Sequence, residues 1–236
     1  MNNSVTNTAR LLWAGLRALL VLTVVTGVLY PLAITGVAQG LFDDKANGSE
    51  ITSNGKVVGS SLIGQAYNLP LKKGQETPEP DLKWFQGRPQ NGLGANSVNT
   101  QYKLILSGAT NRSGDNGAVD GVCPTDPAKA EEATLCQWVV AAKQAVIKDN
   151  SVNGYTVTSV PPDAVTSSGS GLDPDISPQY ADIQVHRIAA KNGLSVDQVQ
   201  KLVDEHTDGR TLGFIGEPTV NVLQLNIALK ELVAKS

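Results

Sequence analysis

The sequence predicts an α+β protein: one N-terminal transmembrane helix, then a single extracytoplasmic domain with a small mixed sheet and a helical C-terminal third. Three observations carry that expectation. Residues 18–42 form a run of 25 consecutive uncharged residues. The middle of the chain mixes turn signals with short runs of β-forming residues. The last third carries three separate helix-start signals. With 41% apolar and 17% charged residues, the chain has the composition of a folded body large enough for a real core.

The apolar run, ALLVLTVVTGVLYPLAITGVAQGLF, would be roughly 38 Å long as a helix, against a hydrocarbon core of about 30 Å. Arg10 and Arg17 precede it and Asp43 and Asp44 follow it. Basic flanks stay in the cytoplasm. The expected organisation is therefore a short cytoplasmic N-terminus (1–17), a transmembrane helix (18–42) and an extracytoplasmic domain (43–236), in the plasma (inner) membrane. A cleaved signal peptide is the competing reading, with Gly36-Val37-Ala38 as its cleavage site. The apolar stretch runs well beyond the 7–15 residues of a signal, which favours the anchor. Pro31 lies inside the span, where neighbouring groups can satisfy the freed carbonyl. Gly36 and Gly40 form GxxxG, and Thr23 and Gly27 repeat the spacing, so Gly27, Gly36 and Gly40 are candidate positions for packing against another helix. Such residues are also ordinary in membrane helices.

Along the outer domain, residues 43–53 read as a polar linker. Asn54-Gly55 signals a tight turn leading into a strand at Lys56–Gly59. Residues 68–80, with three prolines, form a surface loop. Trp84-Phe85 is a short apolar element ended by Gly87-Arg88-Pro89. Residues 90–126 show little periodicity and read as loops with isolated strands. A helix is expected from Pro127 to Asp149, with Leu135, Trp138, Val139, Ala142, Ala145 and Val146 on one stripe. Tyr155–Thr158 reads as a strand. Ser177-Pro178 starts a helix that Gly193 ends. Ser195 and Gln198 make a capping box for a second helix reaching about His206. Asn221 starts the last, which carries Val222, Leu223, Leu229 and Leu232.

Charge and motifs exclude several function classes. All 22 acidic side chains lie beyond residue 42, together with 17 of the 19 basic ones, so the body is acidic and unsuited to phosphate backbones. Aromatics make up only 5%, too few for base-stacking platforms. There is no HExxH, CxxC or GxxxxGK[ST] pattern, and Ser168-Gly169-Ser170-Gly171 does not fit GxSxG. His186 and His206 fall on predicted helices among ordinary charged residues. Cys123 and Cys136 are the only cysteines; in an oxidising compartment they form a disulfide, and otherwise they are buried thiols. The densest polar stretch is 165–178. There Ser167, Ser168, Gly169, Ser170, Gly171, Asp173 and Asp175 lie just before a helix start. Amides at such a point can hold an anion and carboxylates a cation. Alternatively, the side chains cap their own backbone.

Several stretches, in order along the chain, carry a family likeness. They are Leu29-Tyr30-Pro31-Leu32, Val58-Gly59-Ser60-Ser61-Leu62-Ile63-Gly64-Gln65 and Trp84-Phe85-Gln86-Gly87-Arg88-Pro89. Then come Val165-Thr166-Ser167-Ser168-Gly169-Ser170-Gly171-Leu172-Asp173-Pro174 and Leu212-Gly213-Phe214-Ile215-Gly216-Glu217-Pro218 with Asn221-Val222-Leu223. The chain resembles the C subunits of the Kdp high-affinity potassium-transporting ATPases over almost everything after residue 10. Two features depart from the family. Its Ser-Gly-Gly-Ser-Asn-Leu-Gly-Pro stretch stands here only as Ser107-Gly108-Ala109-Thr110-Asn111-Arg112-Ser113-Gly114. The cysteine-bearing segment 115–136 looks like an elaboration.

The resemblance implies a subunit of a potassium import pump, not an enzyme in its own right. A channel-like subunit passes potassium, and a P-type ATPase subunit hydrolyses ATP through an aspartyl phosphate. The DKTG motif of that catalytic subunit is absent here. The C subunit is implied to serve assembly and to act as a catalytic chaperone that raises the ATP affinity of its partner. It has no cofactor of its own, because ATP and potassium are handled by the complex. Within it, the 167–175 loop is a candidate partner interface. The competing classes are a membrane-anchored hydrolase, which would need a nucleophile elbow, and an anchored solute- or wall-binding domain acting alone.

Overall fold

The computed structural model describes residues 3–75, 78–89, 107, 118, 122–126, 128 and 134–236. It separates into two units, Met1–Glu50 and Ile51–Ser236.

The first unit is dominated by one continuous helical rod, Ser4–Leu41, long and apolar enough to cross a membrane. Helix α1 (Asn3–Val24) runs into a π-helical turn (Val25–Leu29) and then α2 (Tyr30–Leu41). In the wide turn, the Tyr30 N–H donates to Val25 O, five residues back. Pro31 explains its position. A proline ring collides with the carbonyl four residues earlier, here that of Gly27, and opening the ladder by one residue relieves the clash. The Thr26 hydroxyl donates back to Leu22 O at 2.7 Å. The rod stops at Phe42, which leaves helical geometry at φ −140°. A single turn, α3 (Asp43–Ala46), follows. Asn47 closes the exit by donating to Asp43 O and Asp43 Oδ1 and pairing with the Gln39 amide. The polar linker expected over 43–53 is therefore a helical turn followed by strand β1 (Glu50–Ser53).

In the second unit, β1 pairs with β2 (Lys56–Ser60) across Asn54-Gly55. Both turn residues have positive φ, 53° and 74°, as a two-residue hairpin requires. Gly59 lets β2 approach α7 (Val222–Lys235). A Cβ there would overlap Gln65 Nε2 and come within 2.8 Å of Leu223 Cδ2.

Helix α4 spans Leu135–Asn150 behind an N-cap at Thr134, whose hydroxyl accepts from Gln137 N. The earlier start expected at Pro127 falls largely outside the described residues, as does most of 90–126. The expected stripe is out of phase. Leu135 and Trp138 are exposed, while Cys136, Val140 and Asn150 face the core. This helix is apolar nearly all round, so period alone does not choose a face. Tyr155–Thr158 is not a strand. Tyr155 makes a single bridge to Val152 and stacks on His186, ring centroids 3.8 Å apart.

Helices α5 (Pro178–Asn192) and α6 (Val196–Glu205) begin at Ser177 and Ser195, and the Ser195–Gln198 capping box is complete. Gly193 ends α5 in the left-handed region at φ 70°. Strands β3 (Asp175–Ile176), β4 (Thr207–Asp208) and β5 (Thr219–Asn221) form a sheet in the order β3-β5-β4. Its pairs are antiparallel, Ile176 opposite Val220 and Thr207 opposite Val220. The mixed sheet expected from the sequence is thus antiparallel, and it lies inside the helical C-terminal third. Strands of two or three residues are too short to show an alternation. The core gathers Ile176, Val185, Ile188, Val199, Val203, Val220, Leu225 and Leu229 around Phe85.

Candidate functional site

The 165–178 loop is built from its own side chains. The Ser168 hydroxyl accepts from Asp173 N at 3.3 Å and lies 3.2 Å from Ser170 Oγ. Ser170 Oγ accepts from Leu172 N, and Asp173 Oδ1 from Asp175 N. Gly171, at φ 69°, turns the chain. At the loop's end, the Asp163 carboxylate accepts from both the N–H and the hydroxyl of Ser177. These bonds match the self-capping alternative. The carboxylates Asp173 and Asp175 do not converge on open space, because Arg88 Nη1 reaches Asp173 Oδ2 at 3.4 Å and Asn221 Nδ2 reaches Asp175 Oδ1 at 3.0 Å. Gly169 and Ser170 are exposed at the tip, where Ser170 O accepts from the Ser107 hydroxyl at 3.3 Å.

Three anchors fix the loop to the body. Leu172 O accepts from Gly64 N at 2.7 Å, Pro174 O from Val222 N at 3.0 Å, and Ser167 O from Arg88 Nη2 at 3.3 Å. Asn221 is the hub. It caps α7 by accepting from Gln224 N, and its amide donates to Ser61 O and to Asp175. Three stretches singled out in the sequence, 58–65, 165–178 and 221–223, thus meet at one residue. Asp175 has its pKa raised above the ordinary 3.8, chiefly by burial and further by Asp173 and Asp208, while Asn221 pulls the other way.

Sequence reasoning missed a polar spine inside the core, bonded to residues 82–86. Arg187 is 1% exposed. Its guanidinium donates to Asn150 Oδ1, Leu82 O, Trp84 O and Gln184 Oε1. Burial lowers its pKa to about 10. The Gln184 amide pairs with the backbone of Gln86, and the Asn226 amide with the backbone N–H and C=O of Phe85. Side chains from α5 and α7 thereby supply the hydrogen bonds that residues 82–86, lacking a sheet, cannot find. The only sequence signal was the polar residues themselves, which a helix pattern assigns to solvent.

A cleft of about 220 Å³ lies beside this spine, lined by Tyr67, Trp84, Leu223, Asn226, Ile227 and Lys230. It is smaller than ordinary ligand pockets. Burial pushes the Tyr67 phenol up to about 12, with a smaller opposing pull from Asn226. That contact falls outside hydrogen-bond geometry, since both amide atoms of Asn226 are directed at Phe85.

Gly27, Gly36 and Gly40 sit on the N-terminal rod, and a side chain at any of them would meet nothing within the chain closer than 4.0 Å. Cys123 and Cys136 form a disulfide, with Cα atoms 5.2 Å apart, that fastens the first turn of α4 to the segment before it. His186 and His206 are half-buried and lie on α5 and at the C-cap of α6. Among the described residues, no cluster of three potential metal ligands occurs.

Known proteins resemble this chain over nearly its whole length. The family model described as K+-transporting ATPase, c chain, matches residues 12–231. The potassium-transporting ATPase KdpC subunit of Streptomyces avermitilis is 77% identical, covering 100% of both chains. The KdpC subunit of Streptomyces coelicolor is 71% identical over 99% of this chain and 98% of its own. That of Gemmatimonas aurantiaca is 41% identical over 94% of each. The polar loop, the Asn221 hub and the single apolar rod are therefore features of a chain that belongs to the KdpC family, the c chain of K+-transporting ATPases.

Proposed function

We propose that this chain is the non-catalytic, single-span subunit of an ATP-driven potassium import complex. It holds the channel-like and P-type ATPase subunits together and raises the ATP affinity of the latter. The observation that carries the reading is the family match across residues 12–231, supported by full-length identity of 77% to a KdpC subunit. The rod lies in the plasma membrane with Arg10 and Arg17 on the cytoplasmic side and residues 43–236 outside. ATP is then across the membrane from the domain. The effect on ATP affinity is a coupling free energy between distant sites, typically about 1–3 kcal/mol, carried by the rod and the membrane helices it packs on. The chain needs no cofactor of its own, and the exposed tip of the 167–175 loop faces the potassium-conducting subunit.

The deciding experiment is purification of the tagged chain in mild detergent, with identification of what accompanies it. Both large pump subunits should be retained. Recovery of the chain alone, with full potassium transport by the remaining subunits, would overturn the reading. Protease added to intact spheroplasts should digest the domain; digestion only after lysis would reverse the topology.

A further inference from the structure

We propose that the connection between β4 and β5, residues 209–218, is a preformed knob that seats in an apolar, basic-rimmed pocket on another subunit of the pump. The proposal rests on the reading above that the chain works inside a complex. Leu212, Phe214 and Ile215 are 79%, 72% and 51% exposed. Single exposed apolar side chains are ordinary on any protein; three within four residues on one turn are a patch that calls for a partner.

The turn is held in shape before any partner arrives. Thr211 and Ile215 exchange both backbone hydrogen bonds, at 2.9 and 3.0 Å. Gly213 N donates to Arg210 O at 2.9 Å. An ion pair between Arg210 Nη2 and Glu217 Oε2, 2.6 Å, clamps the base. Gly213 and Gly216 take positive φ without strain, but Leu212 also sits there, at φ 55°. A turn that only reversed the chain would place glycine or asparagine at that position. Here the fold accepts strain and displays a leucine.

Shape and charge choose the partner. A bilayer takes up any apolar side chain and offers no contour to match, so it gives no return on a rigid tip. A protein pocket does, because a preorganised anchor loses little freedom on docking. Asp208 at the foot of the knob and Asp175 lie on the two strands that flank β5, and Asp175 feels the charges of both Asp208 and Asp173. Arg88 offsets one of these carboxylates through Asp173, and Arg210 and Glu217 cancel each other. The foot is left acidic. An anionic lipid surface would repel it, whereas lysines or arginines around a protein pocket would complement it.

The test uses the whole complex extracted in mild detergent. Replacing Leu212, Phe214 and Ile215 together with serine should lower the pump subunits retained by the tagged chain at least tenfold. Retention equal to the parent chain would overturn the proposal. Because that variant could misfold, a second one replaces only Phe214, with photoreactive benzoylphenylalanine. Illumination should yield an adduct with a pump subunit, its crosslinked peptide lying next to basic residues. An adduct with lipid alone, or none, would overturn the proposal. If the parent chain itself retains no pump subunit, it is the functional reading that fails.

Discussion

The amide of Asn221 holds Asp175 Oδ1 at 3.0 Å while its own Oδ1 caps α7, so one side chain joins the polar loop, the central strand and the last helix. This bond opposes the burial and the neighbouring carboxylates that raise the Asp175 pKa. A carboxyl with a raised pKa binds its proton more tightly folded than unfolded. Its contribution to stability is complete below the unfolded pKa and is lost as pH rises through the folded one. Asp175→Asn keeps an acceptor for Asn221 and cannot ionise. The variant should match the parent chain in acid and exceed it at neutral pH. Urea midpoints at the two pH values measure this; equal midpoints at neutral pH would remove Asp175 as a source of pH dependence.

Arg187 donates to four neutral oxygens in the core. Arg187→Ala takes the donor from Asn150 Oδ1 and Leu82 O, while Gln184 Oε1 keeps Gln86 N and Trp84 O keeps the Gln86 side chain, and each acceptor left buried and unpaired costs about 1–3 kcal/mol. A loss of at least about 3 kcal/mol is expected in denaturant unfolding. Arg187→Lys should recover little of it, since a compact ammonium on a flexible four-carbon stem reaches less far and cannot reproduce the planar fork. Full rescue by lysine would show that charge alone is needed.

Gly169 and Gly171 separate the folding of the loop from its use. Gly171→Val places a β-branched residue in the left-handed region and should cost about 1–3 kcal/mol. At Gly169, a new Cβ meets nothing within 4 Å. Gly169→Val should change stability by less than about 0.5 kcal/mol. If the tip docks on the potassium-conducting subunit, Gly169→Val will nevertheless slow growth at limiting potassium. Normal growth with normal complex yield would reduce the tip to scaffolding.

Gly36 and Gly40 are open within the chain. Gly36→Leu should leave the domain folded and disulfide-linked but shift the apparent ATP affinity of the assembled pump by roughly 5–150-fold, the span of ordinary allosteric couplings. The isolated domain, if it folds, should bind no ATP by calorimetry. An unchanged ATP affinity in the Gly36→Leu complex would place the coupling elsewhere.

The parts of this fold governed by local hydrogen-bond rules were legible in the sequence. Asn54-Gly55, Ser177, Ser195, Gly193 and Asn221 each do what their residue type predicts, because a cap or turn is decided within four residues. The sheet was not legible. Strands of two or three residues take their place from partners 11 to 46 positions away. The face of α4 was misread because Leu135 and Trp138 compete with Cys136 and Val140 on a helix with apolar residues on most sides. The candidate loop was visible as a composition, but its dependence on Arg88, Gly64 and Asn221 was not. Nor was the spine of Arg187, Gln184 and Asn226, whose polar side chains replace a missing strand.

The wide turn at Val25–Leu29 also acts as a phase shifter. An α-helix advances about 100° per residue, so nine residues would put Gly36 roughly 180° round the cylinder from Gly27. A π turn absorbs one extra residue, which brings the angle to roughly 80°. Thr23, Gly27, Gly36 and Gly40 then fall on the same half of the rod. Deleting the extra residue within the turn would restore an unbroken α-helix and leave the glycines in this relation, since eight α-helical residues also span roughly 80°; a regular α-helix at unchanged length would instead swing the lower pair about 100° round the rod.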